Sequence, residues 1–272
     1  MMSKDKGGAL DRALMIGTSL YKVNRNTGRV DHQLSGRRSL ISALKHNAFL
    51  STLPKAARDD LLGAAQRKVF YRSDVLRGSS NSTVHIVVGG CVTEESTYGE
   101  TTTVRILGAG AVLGDQEVLS DSVTPTTRCL NTTWTLTIPL ERMRMIAEYS
   151  APVAMALGAA LADRIATAER VYHRTGLRPE ERLAGLFVHL LDTCAIPNRD
   201  FGRMLEGLSQ SDLADALCVS KATIETAIRT LRHRGLVVTG YRSYEFPSER
   251  ALAELGKVRI PAQRVTGEAS AK

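Results

Sequence analysis

The chain has few cysteines, and they follow no pattern. Its 272 residues include four, Cys91, Cys129, Cys194 and Cys218, and none of them forms a C-x-x-C unit. Zinc sites and disulfide frameworks both depend on regular cysteine spacing. The sequence therefore predicts neither, and it favours reduced, mostly buried thiols in a cytoplasmic protein.

Long apolar runs and catalytic motifs are also missing. The N-terminal segment carries charges without the apolar core of a signal peptide, and no stretch reaches the roughly 18 apolar residues of a membrane span. The patterns G-x-x-x-x-G-K-[ST], H-E-x-x-H and G-x-S-x-G do not occur. We therefore expect no membrane partner and no enzyme activity.

Positive charge is in excess. The formal net charge is +8 and the pI is near 9.5. Residues 1–38 hold eight Lys or Arg and only three Asp or Glu, without periodicity. They are predicted to form a flexible basic arm. The excess suggests a polyanionic partner, with a role in solubility as the alternative.

The middle of the chain has the pattern of a β-domain. A short helical region broken by Pro54 comes first. Residues 67–141 then contain short runs rich in Val, Ile and Thr, separated by glycines. Short strands about ten residues apart with glycine turns are typical of an all-β barrel or roll.

Residues 151–174 predict one long helix of about 36 Å. Apolar residues recur along it at steps of three and four: Leu157, Leu161, Ile165, Ala168 and Tyr172. A narrow stripe on a long helix favours pairing with a second copy, and packing on the chain's own β-domain is the alternative.

Pro179 disfavours a helical conformation at Arg178, which predicts a break between the long helix and the next one. Residues 194–207 show no regular pattern and are expected to be irregular. A strand, a turn at Gly240, a second strand and a short helix are predicted to follow. The tail from Lys257 has no core pattern.

Residues 208–237 predict two short helices joined by a tight turn. Ser209 and Asp212 have the spacing of a capping box, and Ser220 caps the second helix. Only two residues separate the helices, so they must cross steeply, as in a helix-turn-helix.

The second of these helices is apolar on one side, at Ile224, Ala227, Ile228 and Leu231, and polar on the other. Its first turn would enter a DNA major groove, and the strand pair around Gly240 would act as a wing. The expected DNA contacts are Ser209, Gln210, Ser220, Lys221, Thr223, Thr226, Arg229 and Arg242. A basic, solvated helix in a three-helix bundle is the alternative.

These residues closely resemble the winged helix-turn-helix of the cAMP receptor protein and fumarate-nitrate regulator (Crp/Fnr) family. The matching positions are Leu208, Ser209, Asp212, Leu213, Ala214, Leu217, Cys218, Ser220, Lys221, Thr223, Ile224, Ile228, Leu231, Gly235 and Leu236. The order of parts is similar as well. The resemblance covers about residues 39–256 and implies an α+β fold.

The resemblance divides the chain into five parts. It implies a cyclic-nucleotide-binding-like β-roll at 39–150, a dimerisation helix at 151–175 and a winged helix-turn-helix at 176–256. The basic arm at 1–38 precedes these parts, and a disordered tail at 257–272 follows them.

The family's effector site is altered here. Members that bind cyclic nucleotides use a cassette similar to G-E-L-A, followed by P-R-S-A, in which Glu binds the ribose and Arg the phosphate. In this chain Asp115 replaces the Glu and Thr126 replaces the Arg. The resemblance implies a ligand site at Gly114, Asp115, Thr126, Thr127 and Arg128. It leaves open cAMP or another cyclic nucleotide, a different ligand, or none.

The sequence does not support the iron–sulfur or haem sensing found in other members of the family. Its iron–sulfur sensors need clustered cysteines near the N-terminus, whereas the first cysteine is Cys91. His85 alternates with apolar residues in a predicted strand. We expect it to be a core histidine rather than a haem ligand.

The DNA-reading positions differ as well. The family's prototype reads DNA with Arg-Glu-Thr-x-x-x-Arg, and the matching residues here are Lys221, Ala222, Thr223 and Thr226. Lys can bind guanine, whereas Ala and Thr can contact thymine methyl groups, so we expect a different operator. Cys218 stands where the turn usually has Gly, and it is predicted to be left-handed.

The resemblance implies a homodimeric transcription regulator that binds a pseudo-palindromic operator, with RNA polymerase as a further partner. The substituted reading positions motivate a second hypothesis. In it the chain is a ligand-sensing or protein-interaction module whose winged domain no longer reads DNA.

Overall fold

The computed structural model describes residues 20–23, 30–34, 43–44, 46–78, 82–120, 125–198 and 202–258. These residues divide into two compact units. The first ends at Val92 and resumes from Gly108 to Asp163, and the second comprises Thr93–Leu107 and the chain from Arg164 onward. Each unit is described by itself. The domain boundaries expected from the sequence stay predictions.

Part of the expected flexible arm is a β-hairpin. Strands β1 (Leu20–Val23) and β2 (Val30–Leu34) pair antiparallel, with Val23 opposite Val30. The expectation of an arm without regular structure is therefore wrong for these nine residues. The other residues of the arm lie outside the described ranges, as does the tail beyond residue 258.

The first unit begins with helices α1 (Ala48–Thr52) and α2 (Lys55–Ala64), which flank Pro54. Its strands are β3 (Gln66–Phe70), β4 (Val75–Arg77), β5 (Thr83–Gly89), β8 (Val112–Leu113), β9 (Thr126–Cys129) and β10 (Thr133–Pro139). The short helix α3 (Asp115–Leu119) follows β8, and α4 (Leu140–Tyr149) follows β10.

One sheet of this unit has the strand order β3-β10-β5-β8, and β4 pairs antiparallel with β9. Leu136 lies opposite Ile86 in the central pair, and both side chains are buried. The core joins this sheet to α1, α2 and the start of the next helix through Leu50, Leu61, Ile138 and Leu157. The glycine-punctuated strands predicted for residues 67–141 are confirmed.

Helix α5 (Ala151–Thr167) continues into a π-helical turn at Ala168–Tyr172. This 22-residue element is long and apolar enough to cross a membrane by length and composition alone, with 28% of the apolar window buried. The expectation that no segment reaches this length is therefore wrong. Core helices of globular proteins pass the same test.

The apolar stripe expected on this helix is divided. Leu157 is buried in the core of the first unit, whereas Ala168 and Tyr172 are buried in the second. Ile165 alone of the five is largely exposed, at 63%. The prediction that these five residues form one stripe available to a second copy is therefore wrong, because three of them pack within the chain.

The second unit contains α6 (Pro179–Thr193), β11 (Ile196–Asn198), β12 (Gly202–Glu206), α7 (Gln210–Leu217) and α8 (Lys221–His233). Strands β13 (Val238–Gly240) and β14 (Ser243–Glu245) and helix α9 (Glu249–Gly256) follow. The predicted break is confirmed, since Arg178 is extended and Pro179 begins α6.

The expectation that residues 194–207 are irregular is wrong. Strands β11 and β12 form there, and the sheet has the order β11-β12-β14-β13. Met204 lies opposite Glu245, about 40 residues further along the chain. Because this pairing is long-range, the local sequence carries no sign of it.

Helices α6 and α9 cross at two glycines. A Cβ atom added to Gly256 would lie 2.6 Å from the backbone nitrogen of Gly185. The carbonyl of Gly256 also accepts a hydrogen bond from Arg174 Nη1 at 2.6 Å. The two backbones therefore approach without side chains between them.

Strands β6 (Val92–Tyr98) and β7 (Thr101–Leu107) are neighbours, and all but Val92 belong to the second unit. The Tyr172 hydroxyl accepts a hydrogen bond from the Ile106 N–H at 3.1 Å and donates one to the Ile106 carbonyl at 3.0 Å. Arg164 forms a buried ion pair with Glu94 at 3.2 Å. These contacts fix the strand pair to the helix that leads into the winged part of the chain.

Candidate nucleic-acid interface

Helix α7 begins with the predicted capping box. The Asp212 N–H donates to Ser209 Oγ at 3.2 Å, and the Ser209 N–H donates to Asp212 Oδ2 at 2.7 Å. The Ser209 hydroxyl also donates to Asp212 Oδ2 at 2.6 Å. These bonds fix the first turn of α7, where free N–H groups and a partial positive charge face outward.

The turn after α7 is left-handed at Cys218, with φ 52° and ψ 50°, as predicted. Ala214 is buried and accepts a hydrogen bond from the Val219 N–H at 3.0 Å. Arg182 donates to the carbonyl of Leu217 and so closes the end of the helix. Within the described residues all four cysteines are free, and Cys218 is the exposed one.

Helix α8 starts directly after this turn. The Thr223 N–H donates to Ser220 Oγ at 3.1 Å, so Ser220 is the N-cap, as predicted. The buried face consists of Ile224, Ala227, Ile228 and Leu231. The opposite face is exposed, and it carries Lys221, Ala222, Glu225, Thr226 and Arg229.

The threonine hydroxyls of α8 bond within the helix. Thr226 Oγ1 donates to the Ala222 carbonyl at 3.0 Å, and Thr223 Oγ1 lies 2.8 Å from Ser220 Oγ. Since the Thr226 hydroxyl donates its proton inward, a partner outside the helix meets mainly its methyl group. Together with the Ala222 methyl, this gives the first two turns an apolar strip suited to thymine methyl groups.

Two charged residues, Lys221 and Glu225, lie together along one side of that strip. Lys221 Nζ is 4.0 Å from Glu225 Oε1, and both side chains are about half exposed. Glu225 was not among the DNA contacts predicted from the sequence. A carboxylate there can accept a hydrogen bond from cytosine N4. The i, i+4 spacing from Lys221 was the available signal.

An open cleft of about 380 Å³ lies between the start of α7, the start of α8 and the wing. Ser209, Gln210 and Ser211 line one side, Lys221 another, and Arg242 the wing side. Helix N-terminal N–H groups, hydroxyls and the Lys221 ammonium around one opening suit an anion the size of a phosphate.

The wing is the hairpin of β13 and β14, with Gly240 opposite Ser243. Tyr241 and Arg242 form its two-residue tip. Arg242 has φ 54°, a left-handed conformation that costs a residue with a Cβ roughly 1–2 kcal/mol. Its carbonyl accepts a hydrogen bond from the Gly207 N–H at 2.8 Å, which holds the turn in place.

The eight residues predicted to contact DNA all belong to the second unit. Four of them line the cleft or its rim: Ser209, Gln210, Lys221 and Arg242. Ser220, Thr223, Thr226 and Arg229 lie along α8 and its cap, and Thr223 is half-buried. Tyr241, which is 92% exposed, was missed because strand patterns do not single out loop residues.

The predicted ligand residues lie in the first unit. Gly114 is left-handed at φ 91° and precedes α3, and Asp115 is fully buried and accepts a hydrogen bond from the Gln116 N–H. Thr126 and Arg128 share the outer face of β9, whereas Thr127 faces inward. Arg128 is exposed.

A buried ion pair next to Gly114 was not predicted. Arg77 is 1% exposed, and its Nη2 donates to Glu117 Oε1 at 2.7 Å. A Cβ on Gly114 would collide with the Arg77 guanidinium, which therefore fills the space beside this glycine. Across the described residues, Arg77 Nε and Nη1 and Glu117 Oε2 have no hydrogen-bond partner.

His85 is the buried core histidine that was expected. Its ring nitrogens lie 3.0 Å from Thr83 Oγ1 and 3.1 Å from Thr137 Oγ1. Burial, together with the positive charges of Arg77 and Lys68, lowers the pKa of His85 to about 4. The ring is therefore neutral near pH 7.

Comparison with known proteins agrees with this arrangement. Residues 181–255 match the family model of the Crp-like helix-turn-helix domain. Solved structures that share the fold of the chain include transcriptional regulators of the CRP and CRP/FNR families. The chain therefore carries a Crp-like helix-turn-helix domain at residues 181–255. Its α+β fold, with an N-terminal β-domain of cyclic-nucleotide-binding type and a C-terminal helix-turn-helix, is as predicted.

Three solved structures illustrate how far the similarity of this chain to known proteins extends. A CRP family transcriptional regulator from Thermus thermophilus has a TM-score of 0.58 and 17% identity, over 72% of this chain and 99% of its own. FixK2 from Bradyrhizobium japonicum has a TM-score of 0.57 and 19% identity, over 70% and 96% of the two chains.

The c-di-GMP responsive global regulator CLP from Xanthomonas campestris has a TM-score of 0.56 and 18% identity, over 72% and 100%. At these identities the similarity shows a common fold. A search of curated protein sequences found no significant match.

Proposed function

We propose that this chain is a cytoplasmic transcription regulator of the Crp/Fnr type that binds a pseudo-palindromic operator as a homodimer. The observation that carries the proposal is the exposed face of α8 beside the cleft of Lys221 and Arg242. A major groove admits an α-helix, and a phosphate fits the adjoining cleft. RNA polymerase is the further partner of such a regulator.

Each half-site is read by the first two turns of α8. Lys221 binds guanine, the methyl groups of Ala222 and Thr226 contact thymine, and Glu225 accepts from cytosine. The contacts to the phosphate backbone and the caps of the helix starts come from Ser209, Gln210, Ser220 and Thr223. Arg229 extends the basic face.

The dimer forms along α5. Its exposed positions include Met155, Gly158, Ala162 and Ile165, which follow one another at steps of three, four and three. Met155 is 74% exposed and Ile165 is 63% exposed. This 3.5-residue spacing forms one stripe in a left-handed helix pair, and the small residues between them allow close approach. A second copy would cover this stripe.

The β-roll acts as the effector domain, but cAMP fits it poorly. Arg77 and Glu117 neutralise each other beside Gly114, and Thr126 replaces the phosphate-binding Arg. We expect no thermal stabilisation by cAMP. Cyclic di-GMP, to which CLP responds, is the next nucleotide to assay.

Selection from a random double-stranded DNA library, with the purified full-length chain, tests the function. We expect a pseudo-palindrome with half-sites one helical turn apart. Lys221→Ala should weaken binding to the selected site by about tenfold. Arg250→Ala, which removes an exposed arginine of α9 outside the cleft, serves as the charge-matched control.

Binding without sequence preference at any salt concentration would contradict the proposal. A selected site with unchanged affinity in Lys221→Ala would contradict the reading role of α8. Sedimentation of Met155→Glu with Ile165→Glu tests the dimer, which we expect to dissociate to monomers.

A further inference from the structure

The wing tip combines two unusual features. Tyr241 is 92% exposed, the highest value among the large apolar and aromatic side chains of the described residues. Arg242, beside it, adopts φ 54° at the second position of a two-residue loop, where Gly or Asn is usual. Strained residues of this kind cluster at functional sites.

The two side chains also contact each other. The guanidinium carbon of Arg242 lies 5.9 Å from the centre of the Tyr241 ring, within the range of a cation–π interaction. The exposed ring therefore restricts the arginine, and the hydrogen bond from Gly207 to the Arg242 carbonyl fixes the backbone beneath it. A solvated wing tip would need neither feature.

The position of the cleft indicates what the tip meets. Lys221 begins the helix proposed to enter the major groove, and Tyr241 and Arg242 line the opposite side of the same opening. If one phosphate strand lies in this cleft, the groove on the far side of that strand is the minor groove. Arginine is favoured in narrow, A·T-rich minor grooves because their negative potential is enhanced.

We propose, on the basis of the DNA-binding function above, that the Tyr241–Arg242 tip enters the minor groove flanking each half-site and selects A·T pairs there. Arg242 is the specificity-determining residue, and Tyr241 positions its guanidinium. The protein thus recognises two segments in each half of the operator. Helix α8 contacts the half-site, and the wing tip selects an A·T flank through the shape of its minor groove.

The test uses the full-length protein and duplexes that share the selected half-sites but differ in the flanks. One duplex has A·T flanks and a second has G·C flanks. The third has inosine·C flanks, which lack the guanine 2-amino group of the minor groove but keep the major-groove edge of G·C. Fluorescence anisotropy gives the affinity for each duplex.

We expect the wild type to prefer A·T over G·C flanks by about tenfold, and inosine·C flanks to restore most of the difference. Arg242→Gly should lose this preference while selecting the same half-site. Tyr241→Ala should reduce it, and Arg250→Ala should retain it. Arg242→Gly removes the strained Cβ, so its thermal midpoint should not fall.

Two outcomes would overturn the inference alone. One is a half-site selected by a wild type that binds all three flanks equally. The other is an equal loss of affinity on every flank in Arg242→Gly, which would make Arg242 a phosphate contact. Failure to select any half-site would overturn the proposed function as well.

Discussion

Tyr172 binds both backbone groups of Ile106, accepting from its N–H at 3.1 Å and donating to its carbonyl at 3.0 Å. One hydroxyl thus holds β7 to the π-helical turn inside the second unit. Tyr172→Phe keeps the ring but leaves these buried groups without this partner. We expect the free energy of unfolding to fall by about 2–4 kcal/mol, measured by urea denaturation.

Tyr149→Phe is the matched control for this change, because Tyr149 is 82% exposed. It should alter the free energy of unfolding by less than about 0.5 kcal/mol. Equal effects of the two variants would show that the hydroxyl of Tyr172 contributes little to stability.

The buried pair of Arg77 and Glu117 should be far more sensitive than an exposed pair. Glu117→Gln leaves a buried guanidinium without its counter-ion, and we expect a loss of about 3–5 kcal/mol in the free energy of unfolding. The exposed pair Arg250–Glu254 provides the contrast, since Glu254→Gln should cost less than about 1 kcal/mol.

The double variant Arg77→Met with Glu117→Leu tests the reason for that loss. Replacing both charges with apolar groups of similar size removes the uncompensated charge, so it should recover most of the stability. A double variant as unstable as Glu117→Gln would mean that packing, rather than charge, limits this site.

Cys218→Gly should stabilise the chain. Cys218 is exposed and left-handed at φ 52°, so Gly relieves backbone strain without loss of packing. We expect the free energy of unfolding to rise by about 1 kcal/mol. Cys218→Ala keeps the Cβ atom and should show no gain, so equal behaviour of the two variants would contradict the strain argument.

His85 should make the first unit less stable in acid. Its pKa is lowered to about 4 in the folded protein, mainly by burial, whereas the unfolded chain takes up the proton near the ordinary value of 6.5. The stability that the neutral His85 ring contributes is fully present above pH 6.5 and is lost as the pH falls toward 4. Its slope is at most about 1.4 kcal/mol per pH unit.

His85→Gln should remove this slope. Urea denaturation of both proteins between pH 4 and 7.5 gives the difference attributable to the histidine. Parallel curves for the two proteins would show that other groups cause the acid sensitivity.

The helix-turn-helix could be predicted from sequence because its determinants are local. The Ser209–Asp212 box, the Ser220 cap and the apolar spacing from Ile224 to Leu231 each act within one or two helical turns. The left-handed Cys218 was predicted because it stands where the turn of the resembled family usually has Gly. The bonding of the Thr226 hydroxyl was not predicted, because a sequence does not give a side chain's rotamer.

The wrong and missed predictions concern contacts between residues that are far apart in the sequence. Strand β12 depends on pairing with β14, and the Arg77–Glu117 pair joins residues 40 positions apart. On α5, apolar periodicity alone could not separate Leu157, which packs inside the first unit, from Ile165, which stays exposed. Each case required knowledge of which distant residues meet.

The crossing of α6 and α9 limits how the sequence can vary. Because a Cβ on Gly256 would lie 2.6 Å from Gly185 N, even alanine at position 256 would force the two helices apart. Their separation would also move the Gly256 carbonyl away from Arg174. Related chains that replace Gly256 should therefore carry compensating changes along α6, so these two helices should co-vary as one evolutionary unit.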